Sequence, residues 1–154
     1  MTKYERLLNT ADSYNLKIHE NYDFSGTRIE GLYCDGNIAL SNRLKTDAEK
    51  RCVLAEEVGH HVTSSGDIID LHNVQNTKQE LKARIWAYQK LVPLQKLILA
   101  CKAGCRNSFE IAEYLNVTEK FLNESLEYYK SHYGEGTIMG SYLIEFEPLL
   151  ITQI

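Results

Sequence analysis

One stretch, Leu54-Ala55-Glu56-Glu57-Val58-Gly59-His60-His61, concentrates the side chains that can do chemistry. Two carboxylates and two imidazoles stand there among apolar neighbours. On a helix, residues four apart lie one above the other. Glu56 and His60 therefore share a row, and Glu57 and His61 occupy another about 100° away. The metalloprotease motif H-E-x-x-H works by this geometry: histidines at i and i+4 hold zinc, and the glutamate between them polarises the bound water. Residues 56–60 read E-E-x-G-H, so the glutamate and the second histidine stand in place and Glu56 replaces the first histidine. A carboxylate can ligate zinc at about 2.0–2.2 Å. It is a harder ligand than imidazole, so manganese or another divalent ion is admissible beside zinc. Glu56 also sets a negative charge next to Glu57, which raises the pKa of that carboxyl unless a cation is near. The competing reading is a solvated helix edge. Against it, two carboxylates and two histidines on a mostly apolar helix are costly to bury without a metal or partners.

A third ligand is available in Lys78-Gln79-Glu80-Leu81-Lys82-Ala83-Arg84. A glutamate on a following helix is the usual third ligand of one class of zinc peptidases, which points to Glu80. The alternative is a surface pair of Glu80 with Arg84 at i, i+4. His72 fits no zinc spacing, and the position of a third histidine in the extended motif falls on Gly66. Cys34, Cys52, Cys101 and Cys105 form no C-x-x-C pair and read as reduced thiols, small hydrophobes beside a core. Cys101 and Cys105, at i, i+4, could share a metal but fit that same plain reading.

These side chains need a scaffold, and the apolar spacing supplies one. It predicts an amphipathic helix over 2–14, a short strand at Leu16 and Ile18, and a loop over 20–27. Two apolar runs around Asp35-Gly36 predict a hairpin. The chemical stretch falls on a helix from Asp47 to Thr63. Residues 66–77 read as a long loop. Further helices are expected from Thr77, as N-cap, to Leu91, and from Leu94 to Cys101. Two more span 108–132, joined near Asn116-Val117-Thr118, and a late strand or ordered tail is expected around 138–146. The expected class is α+β, mostly helical with a small N-terminal sheet. A single domain over 1–154 is expected, with a metal-site core over 1–93, a helical subdomain over 94–135 and a C-terminal strand or tail over 136–154.

Across most of its length the sequence resembles the ImmA/IrrE-type metallopeptidases, many of them encoded by phages and mobile elements. The resemblance rests on Ile38-Ala39-Leu40, on V-L-A-E-E-V-G-H-H at 53–61, on E-x-x-A-x-x-W-A at 80–87 followed by Leu91-Val92-Pro93, and on E-I-A-E-Y-L-N-V-T at 110–118. It implies a zincin-like fold with Glu57 as general base and His60 and Glu80 as metal ligands. Glu56 stands where the family has its first histidine, an E-E-x-G-H form shared with some phage members. The family reaction is metal-dependent hydrolysis of a peptide bond, with a repressor-like regulatory protein as substrate and zinc as the usual metal. The strand over 37–41 is expected to pair with an extended substrate. His61 or a nearby tyrosine is the candidate for stabilising the oxyanion. An inactive member that binds a regulator is the alternative.

Residues 109–129 resemble a helix-turn-helix, with Ile111, Ala112, Leu115, Val117, Phe121, Leu122 and Leu126 at core positions. A DNA reader carries basic or amide side chains on its second helix. Here residues 107–135 hold six acids against two bases, a field that repels phosphate. Packing or protein docking is the expected role. Residues 78–106 hold seven bases against one acid, which reads as a solvated face or a dock for an acidic partner. The whole chain of 154 residues carries a net charge of −4, which disfavours nucleic acid as a general partner. No apolar run approaches the roughly 20 residues of a membrane span, and the N-terminus has no apolar signal core, so a cytoplasmic protein with no membrane partner is expected.

Overall fold

The computed structural model describes residues 1–64 and 77–154. His72, Gly66 and the loop expected over 66–77 lie outside the described residues, apart from Thr77 itself. The elements form two compact units, Met1–Ala87 and Tyr88–Ile154. The class is α+β and mostly helical, as the periodicity predicted.

In the first unit α1 (Lys3–Ser13) starts at Thr2, whose hydroxyl accepts the Glu5 N–H while the Glu5 carboxylate accepts the Thr2 N–H. This reciprocal cap satisfies two otherwise orphaned donors. Helix α2 (Asp47–Thr63) starts in the same way, with Thr46 and Glu49. Between them lie β1 (Lys17–Tyr22), β2 (Gly31–Cys34) and β3 (Asn37–Ser41). Asp35 and Gly36, at φ 47° and 78°, make the two-residue turn between β2 and β3. Positive φ at both positions suits the twist of a hairpin. Strand β1 runs three residues into the stretch expected to be loop, and pairs parallel with β3.

The sheet order is β1-β3-β2. This corrects one expectation: β3 is the central strand and has no free edge for a substrate, because both its sides are already paired. Among the described residues the outer strands of this sheet are β1 and β2. Ile38 and Leu40 of β3 are buried, and α2 packs on β2 and β3 with Leu54, Ala55 and Val58 fully buried.

Thr77 lies within helix α3 (Thr77–Leu91), as a helical residue rather than a cap outside it. The second unit takes the end of α3, then α4 (Leu94–Lys102), α5 (Ser108–Leu115) and α6 (Glu119–Tyr133). Helix α5 ends on Asn116 in the left-handed region, and Thr118 caps α6 by accepting the Phe121 N–H. Of the core positions of the helix-turn-helix resemblance, Ile111, Ala112, Leu115, Val117, Phe121 and Leu122 are buried, whereas Leu126 is half-buried. The C-terminal residues depart from a single strand or tail. They form an antiparallel sheet of β4 (Gly136–Met139), β5 (Tyr142–Phe146) and β6 (Leu149–Gln153) in the order β4-β5-β6. Its inner face meets α6, where Phe146 stacks on Tyr129 at 5.9 Å.

Candidate active site

The site is built on the last turns of α2. A run of buried Cys52, Leu54, Ala55 and Val58 fixes which way the helix faces, and that leaves Glu56, Glu57, His60 and His61 half-buried at the surface of the first unit. His60 and His61 lie in the last turn, where the unpaired carbonyls give the helix its negative end. A cation is favoured there.

Gly59 brings the next helix close. A Cβ on Gly59 would sit 2.5 Å from the Ala83 carbonyl oxygen, so α2 and α3 touch backbone to backbone there. One consequence is direct: His60 Nε2 stands 3.3 Å from Glu80 Oε1. Glu80 has no ion pair with Arg84, so the surface-pair alternative is not what the fold uses.

Glu57 lies on the other row. Its carboxyl is pushed up to about 8, first by burial and then by the negative charges of Glu56 and Glu80, and the Tyr33 backbone N–H donating to it pulls the other way. Strand β2 lies against this side chain. A Cβ on Gly31 would come within 2.5 Å of Val53 Cγ1 and 3.1 Å of Glu57 Cγ, so only glycine fits without a shift. His61 turns toward β2, with Nδ1 2.8 Å from the Tyr33 hydroxyl and its ring edge-on to Tyr33 and Tyr14.

The residues named from the sequence are thus gathered unequally. His60 and Glu80 converge, and Glu57 feels the charge of Glu80. Glu56 acts on Glu57 by its charge but does not join His60 and Glu80 as a third donor. Among the described residues no three His, Cys, Asp or Glu side chains are placed to hold one ion. Two ligands of one tetrahedral zinc, each at about 2.0–2.1 Å, lie about 3.3–3.4 Å apart. The His60–Glu80 spacing matches that separation, and an imidazole with a carboxylate is a donor pair that zinc and manganese both accept. The two donors therefore fit a divalent ion as part of its coordination. Gly31 and Tyr33 were not singled out by the sequence. Gly31 offered only a glycine next to an apolar run, and Tyr33 acts here through its main chain, which no residue type announces.

Comparison with known proteins agrees with the fold. The family model described as the IrrE N-terminal-like domain, Peptidase_M78, matches residues 13–127. No curated protein and no solved structure gives a significant match. Among the described residues no helix is long and apolar enough to cross a membrane.

Proposed function

Since the chain belongs to the IrrE N-terminal-like family of peptidases, Peptidase_M78, we propose that it is a metal-dependent endopeptidase acting on a regulatory protein. The observation that carries this reading is the 3.3 Å approach of His60 Nε2 to Glu80 Oε1, beside a half-buried Glu57 of raised pKa. His60 and Glu80 hold a divalent ion, zinc or manganese, at the negative end of α2. A bound divalent ion supplies Lewis acidity that polarises the scissile carbonyl and acidifies water. Glu57 is the general base: it takes the proton of the attacking water and hands it to the leaving amine. Without metal a carboxyl near 8 is mostly protonated at neutral pH, and a bound cation would lower it so that the ionised form can take the water proton.

The extended substrate adds to β2 rather than β3. The bond from the Ser41 N–H to the Glu30 carbonyl, 2.8 Å long, sets the antiparallel alternation. By that alternation Gly31 and Tyr33 are the pairs that do not bond to β3, so their main-chain groups face the free edge. With the Tyr33 N–H on Glu57, the Gly31 groups and the Tyr33 carbonyl remain for a peptide strand.

The substrate class is a repressor-like, cytoplasmic DNA-binding protein of a phage or mobile element. The acidic 107–135 segment serves protein docking rather than DNA contact. The test is incubation of the zinc- or manganese-loaded protein with DNA-binding regulators encoded beside it, with fragments read by mass spectrometry. Cleavage that disappears in Glu57→Gln, with fold and metal retained, is expected. Equal cleavage by Glu57→Gln would overturn the mechanism. One observation favours a second reading, a regulator that binds without cutting: the described residues supply two donors, not three. That reading requires Glu57→Gln and His60→Ala to leave regulation intact.

A further inference from the structure

Tyr33 belongs to no motif of the sequence, yet two side chains of α2 grip it. Its main-chain N–H is turned toward Glu57, whose pKa it lowers. His61, one turn further along the same helix, meets its hydroxyl at 2.8 Å through Nδ1 and its ring edge-on at 5.5 Å. We propose that Tyr33, clamped by His61, is a positioning residue that fixes the Glu57 carboxylate against the β2 edge. The proposal rests on the reading of Glu57 as the base, but the clamp itself is testable without metal or substrate.

The physical need for a clamp follows from the sheet. Strand β2 has four residues and, among the described residues, is paired on one side only. The Tyr33 N–H has no partner on β3, as the alternation from Glu30–Ser41 requires. An edge N–H of this kind is free to turn to water, and a short edge strand frays. The Glu57 side chain, which lies against β2 at Gly31, is held only as firmly as the strand. The second attachment, from Tyr33 hydroxyl to His61 Nδ1, ties the strand to the same helix that carries Glu57. Main chain and side chain of one residue are then held by two groups four positions apart, which lie on one helix row. Gly31 completes the fit, since its missing Cβ leaves the Glu57 stem room to lie along the strand. Tyr14, the C-cap of α1, lies edge-on to the other partner, His61, at 5.8 Å and limits its rotation. His61 so arranged acts through Tyr33 and not on a reacting oxygen.

Amide hydrogen exchange of the metal-free full chain, followed by nuclear magnetic resonance, tests the clamp. The amide of position 33 should be protected although β3 does not bond it. His61→Ala, Tyr33→Phe and Glu57→Ala should each speed its exchange about tenfold, with Leu32 and Ala39, whose amides pair within the hairpin, changing less than twofold. His61→Asn places an amide atom where Nδ1 stands and should restore protection. Unchanged exchange at position 33 in both His61→Ala and Tyr33→Phe overturns the proposal. So does equal acceleration at 32, 33 and 39, which would make His61 a support of the whole strand. If His61→Ala fails to fold, Tyr33→Phe and His61→Asn decide alone. Loss of peptidase activity in every variant, or in none, bears on Glu57 as base and leaves the exchange result standing.

Discussion

Gly59 and Ala83 are the contact that sets the site: the place where a Gly59 Cβ would stand is 2.5 Å from the Ala83 carbonyl oxygen. His60 follows Gly59, and Glu80 precedes Ala83 by three residues, just under one helical turn, so this approach brings the two side chains to 3.3 Å. Gly59→Ala should therefore force the helices apart, since a backbone oxygen cannot swing away. Overpacking of this kind costs about 1–3 kcal/mol. Urea denaturation should register that loss, and zinc affinity should fall with it. Wild-type stability and affinity in Gly59→Ala would contradict the close approach.

The pH dependence of the metal-free protein follows from Glu57. Its carboxyl rises from an ordinary 4.5 to about 8 in the fold, chiefly through burial. The folded state then holds a proton that the unfolded chain has released. Stability is complete below about 4.5 and is lost as pH rises toward 8. Glu57→Gln removes this dependence, so its stability relative to wild type should climb steadily across that window. Denaturation midpoints at pH 5 and pH 8 measure it. A difference that is flat, or that falls with pH, would contradict a raised carboxyl.

In the second unit the Tyr129 hydroxyl donates to the Val92 carbonyl at 2.8 Å, with both groups buried. Tyr129→Phe leaves that carbonyl without its donor, a loss of about 1–3 kcal/mol. Thermal unfolding should show the decrease, while zinc binding at the first unit stays unchanged. Unchanged thermal stability in Tyr129→Phe would contradict the contribution of this bond.

What was legible in the sequence is what is local. Helix α2 announces itself by Thr46 and Glu49, three apart, ahead of an apolar run, and its chemistry by the E-E-x-G-H order. The β2–β3 hairpin follows from Asp35-Gly36. The pairing of β1 with β3 is parallel and non-local, and nothing in either strand says that β3 lies between two neighbours. This is why β3 read as an edge. The C-terminal sheet was missed for a different reason. Its strands have four or five residues, separated by Gly140 and Pro148, too short for an alternating pattern to stand out. At the candidate site, motif and family resemblance named His60 and Glu80 together, and the fold brings them to 3.3 Å. Tyr33 was not named, because a main-chain N–H has the same chemistry whatever residue carries it. Glu56 was expected as a ligand from its row on the helix, and a shared row does not by itself bring a carboxylate to the ion.

The most direct measurement is a calorimetric zinc titration of the metal-free chain, beside His60→Ala, Glu80→Ala and Arg84→Ala. One equivalent should bind to wild type and to Arg84→Ala, and affinity should fall by tenfold or more in His60→Ala and Glu80→Ala. Manganese should give the same pattern across the four proteins. No binding of either ion to the wild type, or binding untouched by loss of His60 and Glu80, would contradict a metal site at these two residues.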